Sequence, residues 1–196
     1  MSALTVQHEP VSGESWEGLV RLWEETDAPE GCKVEIIEGI VTVAPPPVNH
    51  HNYIAVKVQR AVMTVLPDAL EVYQTLNVTI PSRDGLYIPD LVVVPEEAVL
   101  EGGAFVPAAI AELAVEVTSK SNASNDRVAK LAGYAQAAVP LYLLIDAYAP
   151  GGPTVTLYGE PKGGLYRVLQ AGKFGETFHL PAPFGLKLDT STFPTP

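Results

Sequence analysis

The spacing of apolar positions along the chain changes period several times, and each change marks an element. From Ser12 to Thr26, Trp16, Leu19, Val20 and Trp23 recur at helical spacing and predict a helix. The following "KVEIIEGIVTVAP" has two β-rich runs around Glu38-Gly39, the pattern of a hairpin, ended by the prolines at 45–47. Asn49 is placed to cap a second helix that stops at Pro67, with Ile54, Val58, Ala61, Val62 and Val65 on one face. Strands are expected near 70–80, 87–94 and 112–118. A helix from Asn122 or Ser124 to Ala137 follows, with Val128, Leu131, Ala132 and Ala135 turned inward. "LYLLIDAY" is the next strand, and "TVTLYG" and "GLYRVLQ" read as antiparallel additions between Gly and Pro turns. Strands, one long helix, then strands again predict an α+β domain: a mixed central β-sheet flanked by helices. The whole chain, 1–196, reads as one domain, with residues 1–30 as a helical extension and 189–196 as a loose tail.

Two residues break the pattern. Glu116 sits inside the apolar run "LAVEV", and Asp90 opens "DLVVV". Side chains alternate along a strand, so Glu116 shares a face with Ala114 and Thr118, while Val115 and Val117 take the other. A buried carboxylate without a partner is costly, so each acid needs a cation, a hydrogen-bond donor or a metal. Two acids converging from neighbouring strands suit a hard divalent ion such as Mg²⁺ or Mn²⁺, which takes one or two carboxylates and keeps several waters. The alternative is ordinary: Asp90 caps a strand and Glu116 pairs with a lysine or arginine. Downstream, Asp126, Lys130 and Tyr134 recur at every fourth position and form one polar stripe, expected opposite the packed alanines and leucines. The short loop "TSKSNAS" lets Lys130 lean back toward the end of the sheet. Tyr134 either hydrogen-bonds into such a site or packs its ring.

Composition narrows this picture. Hydrophobic residues make up 47% and charged ones 18%, a balance that can bury a core. With 12 basic and 23 acidic residues the formal charge is −11, which argues against broad, nonspecific nucleic-acid binding. A local basic patch, or a metal that offsets phosphate charge, stays open. No apolar run reaches the length of a membrane span, no secretory signal is visible, and Cys32 is the lone cysteine, so a cytoplasmic location is expected. His50-His51 has neither a cysteine partner nor HExxH spacing, which argues against zinc. Walker, GxGxxG and GxSxG motifs are absent, which removes the readings that depend on them.

"VEIIEGIVTVAPPPVNH", "PDLVVV" and "LAVEVTSKSNASNDRVAKLAGYAQAAVPLYLLID" together resemble the bacterial Uma-two family of restriction-endonuclease-like proteins, within the PD-(D/E)XK nuclease superfamily. The resemblance spans roughly residues 33–147 in order and spacing. It implies a restriction-endonuclease-like fold and a metal-dependent DNA endonuclease that hydrolyses phosphodiester bonds, with Mg²⁺ or Mn²⁺ as cofactor. Asp90 and Glu116 then match the metal-binding acids, and Glu35 matches a hairpin acid that completes such sites. The superfamily lysine would stand at Thr118, and Lys130 matches the place to which this family moves it. Lys120 is a weaker candidate. His50 matches the histidine after the proline turn, either catalytic or a helix-end residue bonded to backbone. DNA is the implied partner, a homodimer suits cutting both strands, and no membrane role is implied. The acidic charge and the missing lysine at Thr118 favour an alternative, a non-catalytic nuclease-fold interaction module of a mobile-element or defence system. A nuclease should show a positive rim near Asp90 from Arg60, Arg83, Lys120, Arg127 and Lys130.

Overall fold

A computed structural model gives the fold and describes residues 15–195. The first element is helix α1 (Trp16–Glu25), capped by Ser15, whose hydroxyl accepts from Gly18 N at 3.3 Å. The start of the helix predicted from Ser12 lies outside the described residues. The hairpin β1 (Lys33–Ile37) and β2 (Ile40–Ala44) turns through Glu38 and Gly39, at φ 50° and 78°. Two consecutive left-handed residues make the turn whose twist matches paired strands, and glycine takes the second position without penalty. In α2 (Asn49–Met63), Asn49 is the first helical residue, and Val48 holds the cap position with no side-chain bond. The cap expected at Asn49 is therefore one residue off.

Both central strand predictions split. The run 70–80 becomes β3 (Leu70–Tyr73) and β4 (Val78–Ile80), separated where Thr75 takes φ 58°. A β-branched residue there ends the extended chain. The run 87–94 becomes β5 (Gly85–Tyr87) and β6 (Leu91–Pro95), with Pro89 between them, unable to donate to a ladder. After them come α3 (Glu96–Leu100), β7 (Val106–Pro107), β8 (Leu113–Val117), α4 (Leu131–Gln136) and β9 (Leu141–Asp146). Four further strands close the chain: β10 (Thr154–Lys162), β11 (Leu165–Lys173), β12 (Thr177–Leu180) and β13 (Leu186–Asp189).

Each break transfers the chain between sheets. Among the described residues one sheet has the order β2-β1-β5-β4-β7, a second β11-β10-β9-β8-β6-β3, and β12 pairs with β13. The six-stranded sheet is mixed, with β8 and β9 parallel and its other neighbours antiparallel. One face, including Val93, Val115, Leu143 and Leu157, packs on Ile54, Val58 and Val62 of α2 and on Phe178 and Leu188. Each fully buried Val or Leu there contributes about 1.5–3 kcal/mol. The other face, with Ala114, Tyr142 and Leu144, meets Ala129 and Tyr134 from the α4 side and Val78, Ile80 and Tyr87 from the smaller sheet. Helix α1 covers the outside of that smaller sheet through Leu19 on Ile36, Val41 and Leu86. Residues 189–196, expected to be loose, begin inside β13; Thr190 is buried and Phe193 packs edge-on against Phe174 at 5.4 Å.

Candidate active site

The break at Pro89 puts Asp90 at the seam between the two larger sheets. Leu91 pairs with Val115 and Val92 with Ala114, and Asp90 stands one residue before that antiparallel ladder, beside the strand that carries Glu116. Backbone bonds hold it there: Asp90 N donates to Val115 O at 3.1 Å, and Val117 N donates to Asp90 Oδ2 at 2.8 Å, one residue to either side of Glu116. From the other sheet, Lys33 and Glu35 point the same way because they stand two apart on β1.

Lysine 33 reaches Asp90 Oδ1 at 2.6 Å and Ile88 O at 3.0 Å. His51 Nε2 donates to Asp90 Oδ2 at 2.9 Å. Glu35 accepts from Ile88 N at 2.7 Å and pairs with Lys130 Nζ at 2.8 Å. Lys130 also donates to Glu116 Oε1 at 3.0 Å, and Tyr134 OH donates to the same oxygen at 2.8 Å. Both bonds fall on Oε1, which leaves Oε2 for a ligand. Asp126 Oδ1 lies 3.6 Å from Lys130 Nζ, and among the described residues neither Asp126 oxygen has a hydrogen-bond partner.

The helix that delivers Lys130 opens with a wide π-helical turn, Asn125–Lys130, before the α-helical Leu131–Gln136. Such turns recur where a helix must present unusual side chains. The helix keeps part of the expected inward face, since Ala135 is buried and Leu131 packs half-buried on the core, but it is turned at its start. Asp126, Lys130 and Tyr134, expected opposite the packed residues, form the buried face with Ala129 and Gly133, whereas Val128 is 68% exposed. Two acids already sit under the sheet, and burying their counter-ion stabilises more than burying one valine. Arg127 pins the turn through paired bonds to Asp146 at 2.7 and 2.8 Å. Tyr134 both bonds and packs: its ring meets Tyr87 edge-on at 5.5 Å and Tyr142 at 5.1 Å.

Above Asp90 and Glu116 opens a cleft of about 520 Å³, walled by Ala44–Val48 on one side and Ser119–Asn122 on the other. Lys33 and His51 line it with the two acids, and Lys120 stands on its rim. Lys130, Glu35 and Asp126 lie beneath, each 1–2% exposed. Lys120 is exposed and makes no bond to either acid among the described residues. His50, taken from the sequence as the candidate histidine, is exposed; its neighbour His51 is the one that meets Asp90. His51 keeps the α2 inner face through Ile54, Ala55, Val58 and Val62, and a spacing of eleven residues to Val62 is three full turns. That spacing was the available signal. For Lys33 it was the two-residue spacing from Glu35.

Charge in the site is unevenly compensated. Burial alone would raise the Asp90 carboxyl, but the His51 hydrogen bond and the Lys33 charge hold it well below the usual carboxylate range. Burial pushes the Glu116 carboxyl up to about 7; Lys130 opposes this and the Asp90 charge adds to it. Asp126 is raised well above its ordinary value by burial, only partly offset by Lys130. Burial disfavours the Lys130 cation, yet Glu116, Glu35 and Asp126 outweigh it and hold its pKa well up. Acids pushed in opposite directions are a recurring arrangement at functional sites. Among the described residues no three His, Cys, Asp or Glu side chains form a ready metal cage. The carboxylates that line the cleft and could hold an ion there are those of Asp90 and Glu116.

Helices flanking a mixed sheet, with acids at one end of its adjacent interior strands β6 and β8, make this a protein of the restriction-endonuclease-like fold. A putative nuclease of the DUF820 family from Anabaena variabilis, solved by crystallography, superposes with a TM-score of 0.67, covering 91% of this chain and 96% of that one at 17% identity. The family model described as Uma2, putative restriction endonuclease, matches residues 16–191, and the chain belongs to that family. No curated protein matches it.

Proposed function

We propose that the protein is a metal-dependent DNA endonuclease that hydrolyses phosphodiester bonds. The observation that carries this reading is that Asp90, just before β6, and Glu116, on the adjacent β8, line one open cleft together. These two residues would hold Mg²⁺ or Mn²⁺, which supplies charge stabilisation for the scissile phosphate and lowers the pKa of a water. His51 orients the Asp90 carboxylate through Oδ2. Lys130 and Tyr134 fix Glu116 from below. Lys130 is a positioning residue here, because it lies sealed under Glu116, and Glu35 shares that role by holding Lys130. Glu116, pushed up to about 7, can take a proton near neutral pH until a cation fixes its ionised form. A homodimer in the cytoplasm would let two such clefts reach both strands of a duplex.

The test is cleavage of single- and double-stranded DNA with Mg²⁺, with Mn²⁺ and with chelator, beside Glu116→Ala. Metal-dependent products that vanish in the variant support the reading; equal products from both, or none from either, overturn it.

A second reading, a non-catalytic interaction module, is favoured by the rim. Of the five expected cations, Lys130 is buried, Arg127 is bound to Asp146 and Arg83 to Glu38. Arg60 and Lys120 are left exposed, on a chain of net charge −11. In that case DNA is neither bound nor cut, with or without metal.

A further inference from the structure

The reading above makes Asp90 a metal ligand, yet both of its oxygens are already engaged. Oδ2 accepts from the Val117 backbone N–H at 2.8 Å and from His51 Nε2 at 2.9 Å, two donors that orient the carboxylate. Oδ1 has a different partner: the Lys33 ammonium at 2.6 Å, a cation. That ammonium is the one lysine head group among the described residues that both touches an acid of the pair and lines the cleft. Its remaining bond, to Ile88 O at 3.0 Å, is a neutral one. A divalent ion needs to sit about 2.1 Å from a carboxylate oxygen. An ion there and an ammonium 2.6 Å from the same oxygen would be two cations crowded in one place, and like charges so close repel strongly.

We propose that Lys33 is the resident counter-ion of the site, which a divalent metal must displace from Asp90 Oδ1 and which thereby sets metal affinity. Lys33 hangs from the first position of a strand, with a side chain 18% exposed, so the cleft gives its head group somewhere to go. Lys130 cannot play this part, because it is 1% exposed and held by Glu35 as well as Glu116. The inference rests on the metal of the proposed function but not on cleavage.

Calorimetric titration of Mn²⁺ into the wild type, Lys33→Met and Glu116→Gln tests it. Methionine keeps the length of the side chain without the charge. Lys33→Met should bind Mn²⁺ at least tenfold more tightly than wild type, and Glu116→Gln should bind it more weakly than wild type. A second measurement needs no variant: amine acetylation followed by mass spectrometry. Acetylation of Lys33 should speed up several-fold when Mn²⁺ is added, while that of Lys57 on α2 stays constant. Equal or weaker binding by a folded Lys33→Met overturns the inference, as does unchanged Lys33 labelling under saturating Mn²⁺. If in addition the wild type binds metal through Glu116 and cuts DNA, the nuclease reading survives that failure. Tighter binding by Lys33→Met with no cleavage by any variant supports the inference and sinks the nuclease reading. No binding by any of the three proteins overturns both.

Discussion

Glu116 and Lys130 carry the sharpest consequences at the scale of single residues. A carboxyl whose folded pKa stands near 7 binds a proton more tightly folded than unfolded, where it titrates near 4.5. Its contribution therefore favours the folded state below pH 4.5 and is lost as pH rises to about 7. Glu116→Gln removes that loss. Without metal, the variant should match wild type below pH 4.5 and exceed it by about 1–3 kcal/mol above pH 7, as read from urea melts across pH. Asp90 acts with the opposite sign, because its stabilisation is present at neutral pH and is lost only as pH falls below the usual carboxylate range. Lys130 is the cation common to Glu35, Glu116 and Asp126. Lys130→Met would leave three buried acids without it and should cost about 3–5 kcal/mol at neutral pH, measured by the urea midpoint. Lowering the pH should recover part of the loss by protonating Glu116 and Asp126.

At the scale of elements, the helix after β8 shows how backbone and site depend on one another. Gly133 lies where the helix passes Tyr87, and a Cβ there would meet the ring Cε2 and hydroxyl at 2.6 Å. Tyr87 is fully buried, with Lys130 Nζ 5.9 Å from its ring centre, so it has little room to retreat. Gly133→Ala gains helix propensity yet should destabilise by about 1–3 kcal/mol, because overpacking outweighs the gain. The thermal midpoint of that variant, beside Val128→Ala as an exposed control expected within about 0.5 kcal/mol of wild type, checks this. Equal midpoints for wild type and Gly133→Ala would mean that the helix shifts freely and does not hold Lys130 in place.

For the whole molecule, a metal that binds only the folded chain must raise its stability by mass action, by about 2.7 kcal/mol at a hundred times the dissociation constant. Millimolar Mg²⁺ or Mn²⁺ should therefore raise the wild-type melting temperature, and Glu116→Gln should respond little. A wild-type curve unmoved by either ion, together with a Glu116→Gln variant less stable at every pH, would make the acids structural ion-pair partners.

Much of this molecule was legible in one dimension. Alternation along β8 set Val115 and Val117 against Glu116, the Glu38-Gly39 pair announced the hairpin, and helical spacing outlined α1 and α2. These are local consequences of backbone period and turn sterics, which a sequence carries directly. Asp90 and Glu116 stood out because an acid in an apolar run is conspicuous, Lys130 through its helical spacing and the family resemblance, and Glu35 through the resemblance alone; the fold brings Glu35, Glu116 and Lys130 into contact and sets Asp90 beside Glu116 in the cleft. The partners of Asp90 were not legible: Lys33 arrives from 57 residues away and His51 from 39, along elements whose packing no local rule sets. The burial of Asp126, Lys130 and Tyr134 also had to await the fold, since a polar stripe normally faces water. It faces inward here because Glu35 and Glu116 are already buried there, and the electrostatic cost of leaving them unpaired exceeds the gain from burying Val128 in their place.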